Sequence, residues 1–371
     1  MPEAPDRMLT YYRYPLTHLG YYPEKSIRIP PALETMYCCI NAGIHTACKS
    51  SPVIVGNTLY VGSDDGTMYA IDKASMKVIW KYKVRPEAAY GIHGTAAIRG
   101  GSLFIGAYDG YLYELNRFSG ELLREIKLGD YIGSSPVIWK NRVYIGVETS
   151  EPNGYLSCVD LDTWTIRFQT RAMGDVTHCT PAIDEKTGLV FLGASSDWFF
   201  AFDADSGALK WKHRTGRDIK STAAIAGALV LVTSWDGHLY ALDKRKGRVV
   251  WKYRTGDSSM SSPAVDPVEG RVYFGSHDAF LHCVRLDDGR PLWKYGTGGK
   301  IVSSPVLVSS SRDDRKVLLF GSCDGHLYWV YADDGSPAHR HATQGEVTCV
   351  PLVHEGKVYV SGADGFLYVF R

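Results

Sequence analysis

The chain has almost no net charge, because its 41 lysines and arginines are balanced by 40 aspartates and glutamates. Proteins that bind nucleic acid or anionic membranes usually carry a clustered excess of basic residues, so we expect neither as a partner. No apolar run approaches the length of a membrane span, and no charged-then-apolar leader begins the chain. These absences predict a cytoplasmic protein without a membrane span.

The usual local signatures of catalysis are also missing. The sequence contains no nucleophile elbow, no phosphate-binding glycine loop and no His-Glu zinc helix. Its eight cysteines do not suggest a disulfide framework in a chain of 371 residues, and the spacing of histidines and cysteines is not that of a metal site. We therefore predict no metal, and we interpret the cysteines as small buried hydrophobic residues in a reducing compartment.

What the sequence does contain is one pattern repeated eight times. Each copy begins at a Ser-Ser-Pro-like triplet, and most copies carry a Gly-Ser-x-Asp-Gly turn or a variant of it. The copies follow one another at intervals of about 40 to 46 residues. They begin at Ser50, Gly94, Ser134, Cys179, Ser221, Ser261, Ser303 and Cys349. A repeat of this length that reads as four short strands predicts an all-β, eight-bladed β-propeller of four-stranded antiparallel blades.

The two ends of the chain differ from the repeat. In the first copy the strands are predicted at residues 51–55, 58–62, 67–72 and 77–84, whereas the last copy ends at Arg371 after three strands. Residues 34–42 resemble a fourth strand, and we expect this N-terminal strand to complete the eighth blade and close the ring. The single propeller domain would then span residues 34–371. Residues 1–33 form a Tyr- and Pro-rich extension, either a strap on the propeller rim or a partner-docking peptide.

A tryptophan on the fourth strand is the clearest packing signal. Trp80, Trp211 and Trp251 each follow the aspartate of an Ala-x-Asp sequence by the same offset. Such a ring can be buried between blades while its N–H finds a backbone acceptor. Blades two, three and seven have other residues at this position, so we expect them to dock less tightly. These residues are Arg124, Phe168 and His339.

This motif carries a family resemblance. Ala-x-Asp followed by glycine and tryptophan, as in residues 201–211 with Gly207, resembles the tryptophan-docking motif of quinoprotein-type (pyrroloquinoline quinone-like, or PQQ-like) propellers. The resemblance covers residues 34–371. That class includes quinone-dependent alcohol dehydrogenases, an outer-membrane assembly lipoprotein and the propeller of a eukaryotic acyl-CoA-synthetase-like aminoadipate enzyme, which residues 272–278 resemble most. The resemblance implies the fold and leaves the function open.

Candidate ligand-binding residues follow from comparing equivalent positions on one face. The link into the first strand and the turn between the second and third strands share that face, and repeat proteins bind ligands where their copies differ. The link contributes lysines and histidines, and the turn contributes mainly aromatic and acidic residues. The candidates are Lys49, His93, His178, Lys220, Asp64, Tyr108, Trp235 and His277. They can bind an anionic or carbonyl-bearing ligand, or they can be an ordinary solvated rim.

Three functions are compatible with these observations. The leading hypothesis is a non-catalytic propeller that acts as a scaffold for a protein, peptide or small ligand, with no cofactor. The alternatives are a quinone- or metal-dependent oxidoreductase and a cofactor-free enzyme or ligand sensor. The adjacent Cys38 and Cys39 are similar to a pair in quinone-dependent dehydrogenases, but they fall on a predicted outer strand, away from the candidate face. Whether the protein is an enzyme stays open at this point.

Overall fold

The computed structural model describes residues 9–10, 16–38, 50–85, 91–151, 153–171, 173–175, 177–313 and 315–371. Within these ranges the regular elements are all β-strands, arranged as eight four-stranded antiparallel blades, and two blades carry one further strand. The prediction of an eight-bladed β-propeller is confirmed. The same ranges contain no helix that is long and apolar enough to span a membrane.

Three strands precede the blades, namely β1 (Leu9–Thr10), β2 (Tyr21–Ile27) and β3 (Leu33–Cys38). The chain divides into two compact units, of which the first contains blades one to four. In each of these four blades the strands follow one another in chain order. They are β4 (Val53–Val55), β5 (Thr58–Gly62), β6 (Thr67–Asp72) and β7 (Val78–Lys83); β8 (Ala97–Arg99), β9 (Ser102–Gly106), β10 (Tyr111–Asn116) and β11 (Leu122–Lys127); β12 (Val137–Trp139), β13 (Arg142–Thr149), β14 (Asn153–Asp160) and β15 (Thr165–Gln169); β16 (Ala182–Asp184), β17 (Leu189–Gly193), β18 (Trp198–Asp203) and β19 (Leu209–Arg214).

The second unit contains blades five to eight. Its strands are β20 (Ala224–Ala226), β21 (Leu229–Ser234), β22 (His238–Asp243) and β23 (Val249–Arg254); β24 (Ala264–Asp266), β25 (Arg271–Gly275), β26 (Phe280–Arg285) and β27 (Pro291–Gly296); β28 (Val306–Ser310), β29 (Lys316–Ser322), β30 (His326–Tyr331) and β31 (Pro337–Ala342); β32 (Leu352–His354), β33 (Lys357–Ser361) and β34 (Phe366–Phe370).

Burial falls from the first strand of a blade to the fourth. All three residues of β4 are buried, whereas in β7 the side chain of Trp80 alone is fully buried. The hydrophobic, β-branched first strands therefore form the core, and the charged fourth strands face solvent.

The Ser-Ser-Pro triplet has two hydrogen-bonding roles. Its first hydroxyl accepts the amide at the end of the second strand of the same blade, as Ser50 Oγ does from Gly62 N at 3.2 Å. Its second hydroxyl accepts an amide from the preceding blade. Thr95 Oγ1 accepts from Ser51 N at 3.1 Å, and Ser135 Oγ accepts from Thr95 N at 2.9 Å. Where both hydroxyls are present, the triplet satisfies buried backbone groups in two blades, which explains its recurrence; the copy that begins at Gly94 lacks the first of them.

Tryptophan docking also joins neighbouring blades. Trp80 Nε1 donates to Arg117 O at 3.0 Å, and a Cβ on Gly120 would lie 2.6 Å from the Trp80 ring. In blade two the guanidinium of Arg124 makes the equivalent bond, to Leu161 O at 3.0 Å. Arg124 is thus a functional replacement for tryptophan here, and weaker docking of the blades that lack tryptophan stays a prediction.

The eighth blade is completed from the N-terminus. Strand β3 pairs antiparallel with β34, so that Tyr37 lies opposite Leu367. The amides and carbonyls of Ala32 and Arg371 bond reciprocally at 2.8 and 2.9 Å. This pairing confirms the predicted fourth strand for residues 33–38; residues 39–42 lie outside the described part. Cys38 is on this outer strand, as predicted, and Cys39 is not described.

Part of the N-terminal extension is paired with the blades. Its described residues 16–27 lie along the first strands of the blades. Leu16 O accepts from Ile183 N in the first unit, and in the second unit Thr17 O and Leu19 O accept from Ile225 N and Val265 N. Strand β2 then pairs parallel with β28. The physical reason is that each first strand is a sheet edge with free amides, and the carbonyls of the extension satisfy them.

Candidate functional site

The turn residues proposed for the site are held alike in different blades. The amide of Tyr108 donates to Gly91 O at 3.0 Å, and that of His277 donates to Ser258 O at 2.9 Å. Trp235 N donates to Asp218 O at 2.9 Å in the same way. The turn residue is thereby tied to the link that leads into the first strand of its own blade. Equivalent sequence positions are therefore equivalent in space, which the comparison of copies assumed.

The aspartate of the Asp-Gly-like turns, for example Asp278, holds the turn in place by hydrogen bonds. Asp278 Oδ1 accepts from Phe280 N at 3.0 Å, Oδ2 accepts from Gly256 N at 2.8 Å, and His282 lies at 3.1 Å. Burial opposes the charged carboxylate, but the contacts with His282 and the backbone amides outweigh it and lower the pKa of Asp278 to about 2. A charged, fully engaged aspartate fixes the turn and leaves the neighbouring position free to vary.

In the first unit the structure brings four predicted residues together with one that was not proposed. His93 Nε2 lies 3.6 Å from Asp64 Oδ1, and the His93 and Tyr108 rings have centroids 4.4 Å apart. Tyr108 Oη lies 3.2 Å from His178 Nδ1, which is also 3.1 Å from Glu148 Oε1. The five side chains form a continuous series from Asp64 to Glu148. Both ends of this series are carboxylates.

Most of this series is buried, and His178 is its exposed member. The side chain of His178 is 37% exposed, against 4% for Glu148. Gly133 permits the meeting, because a Cβ there would lie 2.9 Å from both His178 Nδ1 and Tyr108 Oη. Glu148 was not among the candidates. Its turn position is equivalent to those of Tyr108 and Trp235, so the comparison of copies could have identified it.

In the second unit the structure brings together three further predicted residues. The Lys220 ammonium lies 4.0 Å from the centre of the Trp235 ring and 3.7 Å from Asp218 Oδ2. The Trp235 and His277 rings meet edge to face, with centroids 6.0 Å apart. We call Lys220, Trp235 and His277 the second-unit cluster. It combines a cation with two rings that carry N–H groups.

His277 is neutral at neutral pH. Burial and the nearby Lys300 ammonium lower the pKa of its imidazole below the ordinary value. Its Nδ1 lies 2.9 Å from Ser258 Oγ, while its Nε2 and the Nε1 of Trp235 are both buried and have no hydrogen-bond partner within the described part of the chain. Lys300 was not proposed from the sequence, because it lies two residues further from the triplet than the aligned position, Val302.

Two further chemistries, a reactive cysteine thiol and a metal centre, receive little support from the described residues. Burial and Glu346 raise the pKa of the Cys323 thiol, at the turn position of blade seven, to about 12, so that it is not a reactive thiolate. Across the described ranges no group of three or more histidine, cysteine, aspartate or glutamate side chains is placed to hold a metal ion. The remaining candidate, Lys49, lies outside the described residues.

Solved structures with this fold include both enzymes and an assembly factor. A europium-containing methanol dehydrogenase aligns with a TM-score of 0.82 at 14% identity, covering 99% of this chain and 98% of that one. The quinohemoprotein alcohol dehydrogenase from Comamonas testosteroni aligns with a TM-score of 0.79 at 14% identity, covering 97% and 80%. BamB from Moraxella catarrhalis aligns with a TM-score of 0.69 at 20% identity, covering 92% and 97%. At these identities the shared property is the fold.

Sequence comparison points to one family. No curated protein sequence matches the chain significantly. The family described as "Outer membrane protein assembly factor BamB" matches residues 41–184 and 152–310, and the predicted resemblance to PQQ-like propellers is confirmed. Because these two matches together span well over half of the sequence, the chain belongs to this family of PQQ-like repeat propellers.

Proposed function

We propose that this protein is a non-catalytic binding propeller whose second-unit cluster holds a small anionic ligand. The observation that carries the proposal is a pair of buried ring nitrogens in the second-unit cluster, Nε1 of Trp235 and Nε2 of His277, which have no hydrogen-bond partner among the described residues. A buried donor left unsatisfied costs about 1–3 kcal/mol. An anionic ligand supplies the missing acceptors.

The charges of the surrounding groups favour an anion. Lys220 lies over the Trp235 ring, and Lys300 is close enough to His277 to lower its pKa. Charge-assisted hydrogen bonds to an oxyanion are roughly twice as strong as those between neutral groups. The Lys220 side chain covers Trp235, so it has to move aside for a ligand to reach the indole, and its flexible stem allows this movement.

A protein partner is part of the same proposal. The matching family is described as an outer membrane protein assembly factor, which suggests binding of other proteins rather than catalysis. The faces of a propeller carry loops that differ between blades, and such loops are the usual place for partner recognition. We expect a defined partner to co-purify with the full chain.

Quinone-dependent oxidation is the alternative, since two structural neighbours are named as dehydrogenases. The described residues do not fit such a centre. Among them no group of three or more histidine, cysteine, aspartate or glutamate side chains is placed to hold a metal ion, and Cys38 lies on the outer strand β3. We therefore derive no redox step for this chain.

The anion-binding proposal is tested by titrating benzoate and inorganic phosphate into the protein with ligand-observed NMR. We expect at least one of them to bind and Lys220→Met to weaken that binding about tenfold, because the change removes a charge while keeping an apolar stem. Lys246→Met is the control, since Lys246 is exposed and its described contacts are made through the backbone.

Two results would contradict the proposal. One is that neither benzoate nor phosphate binds, or that Lys220→Met and Lys246→Met weaken anion binding equally. The other is a coloured, stoichiometric complex after incubation with pyrroloquinoline quinone and Ca²⁺ together with alcohol oxidation, which would support the dehydrogenase alternative.

A further inference from the structure

We infer that the anion at the second-unit cluster is a carboxylate on an apolar body, held by the N–H groups of Trp235 and His277. This inference rests on the proposed function and adds the chemical class of the ligand.

The hydrogen-bonding state of His277 supports a donor at Nε2. Its Nδ1 lies 2.9 Å from Ser258 Oγ, whereas the other contact of that hydroxyl, to Asp257 Oδ1, is 3.3 Å long. We take the Ser258 hydroxyl as the donor to Nδ1, the shorter of its two contacts. A neutral imidazole with Nδ1 as acceptor carries its own proton on Nε2. Trp235 Nε1 is always a donor, so both buried nitrogens present N–H groups.

Two neutral donors suit a carboxylate better than a tetrahedral anion. A carboxylate carries one negative charge on two coplanar oxygens, and each oxygen can accept one of the two N–H groups. Phosphate or sulfate would bring further oxygens into the same buried region, where Trp235 and His277 offer no additional donors. Oxygens that lose water without gaining a donor are costly. The two ring nitrogens therefore match the two oxygens of a carboxylate, and the Lys220 ammonium balances its single charge.

The neighbouring link positions favour an apolar body. Met260 and Val302 occupy, in blades six and seven, the position that Lys220 occupies in blade five. Both are partly exposed, and both belong to the same unit as the cluster. With the Trp235 ring they add apolar side chains to the link and turn positions of this unit, and small-molecule sites are usually lined by such side chains. Benzoate is therefore the appropriate probe, with acetate as the carboxylate that lacks the apolar body.

Binding through a neutral imidazole also predicts a pH profile. The charged groups that act on His277 are Lys300, Asp257 and Asp278, and Lys220 lies over the ring of Trp235. Because the imidazole donates in its neutral form, the benzoate dissociation constant stays constant between pH 6.5 and 8. A site that needed protonated His277 would bind more tightly as the pH falls through this range.

The test compares donor-deleting variants by NMR titration with benzoate, acetate and phosphate. Trp235→Phe keeps an aromatic ring but removes the N–H, and we expect the benzoate dissociation constant to rise about tenfold. His277→Leu should have a similar effect, and His277→Gln should restore much of the affinity, because its amide can donate near the position of Nε2. Trp164→Phe is the matched control, since Trp164 Nε1 is also buried and lacks a hydrogen-bond partner among the described residues, but lies between β14 and β15 of blade three.

The outcomes separate this inference from the proposed function. If Lys220→Met abolishes benzoate binding while Trp235→Phe and His277→Leu leave it unchanged, the cluster binds anions but the donor assignment is wrong. Tighter binding of phosphate than of benzoate overturns the carboxylate class. No binding of any probe overturns the proposed function itself. Thermal unfolding of each variant shows that a loss of binding is not a loss of fold.

Discussion

At the scale of single residues, a missing Cβ decides how closely two blades approach. Gly120 has a positive φ of 75°, and a Cβ there would lie 2.6 Å from the Trp80 ring. The glycine is therefore needed both for its backbone conformation and for the space it leaves to the neighbouring tryptophan. Gly289 stands in the same relation to Trp251, at 2.5 Å. The recurrence of glycine before tryptophan in the repeat has this physical cause.

The two needs can be separated by mutation. Gly227 has a φ of 59° but nothing within 4 Å of a Cβ position, so Gly227→Ala imposes backbone strain alone, about 1 kcal/mol. Gly120→Ala adds a clash with Trp80, and overpacking of this kind costs a further ~1–3 kcal/mol. Chemical denaturation of both variants measures the difference. Equal losses in the two variants would show that the Trp80 ring yields without cost.

At the scale of strands, β31 has His339 at the position of the docking tryptophan, and His341 follows on the same strand. The rings of His339 and Trp329 have centroids 5.2 Å apart, and those of His341 and Phe370 are 4.9 Å apart. Burial lowers the pKa of both imidazoles below the ordinary value, and for His341 the nearby His339 and His326 add to the effect. The folded protein therefore favours their neutral forms in this aromatic environment.

This arrangement makes stability depend on pH. Because the folded-state pKa values are below the unfolded value of about 6.5, the unfolded chain binds more protons as the pH falls below that value. The contribution of the two histidines is thus complete above pH 6.5 and is lost as the pH falls through their folded-state pKa values. Denaturant midpoints between pH 8 and 5 should decrease for the natural protein and decrease less for His339→Leu/His341→Leu. Parallel pH profiles would place the titrating groups elsewhere.

At the scale of the whole molecule, the N-terminal segment contributes to the fold in two ways. Residues 33–38 form the fourth strand of blade eight, and residues 16–27 cover the edges of first strands. Lys357 and Glu34 add an ion pair at 2.7 Å between β33 and β3. Both roles satisfy backbone groups at sheet edges that would otherwise lack partners.

Two truncations distinguish these roles. Deleting residues 1–32 removes the covering segment but keeps β3, and we expect a lower unfolding temperature. Deleting residues 1–38 also uncovers β34, so we expect a larger decrease together with aggregation through the exposed strand. Calorimetry and light scattering measure the two effects. If the longer truncation unfolds at the temperature of the full chain, β3 does not stabilise blade eight.

Local repetition made much of this structure predictable. The triplet, the Asp-Gly turn and the tryptophan offset recur because each blade must satisfy the same amides and bury the same ring, so one copy explains the others. The alignment of Tyr108, Trp235 and His277 rests on the same principle, since one backbone hydrogen bond holds each of them.

Tertiary structure alone decided the features that do not repeat. The course of residues 16–27, the replacement of tryptophan by Arg124 and the contact of Glu148 with His178 all join parts of the chain that are distant in sequence. Their energies depend on which edges, carbonyls and imidazoles the folded chain brings within a few ångströms. A local pattern determines the shape of one blade, but only the packing of several blades determines which side chains meet on their common face.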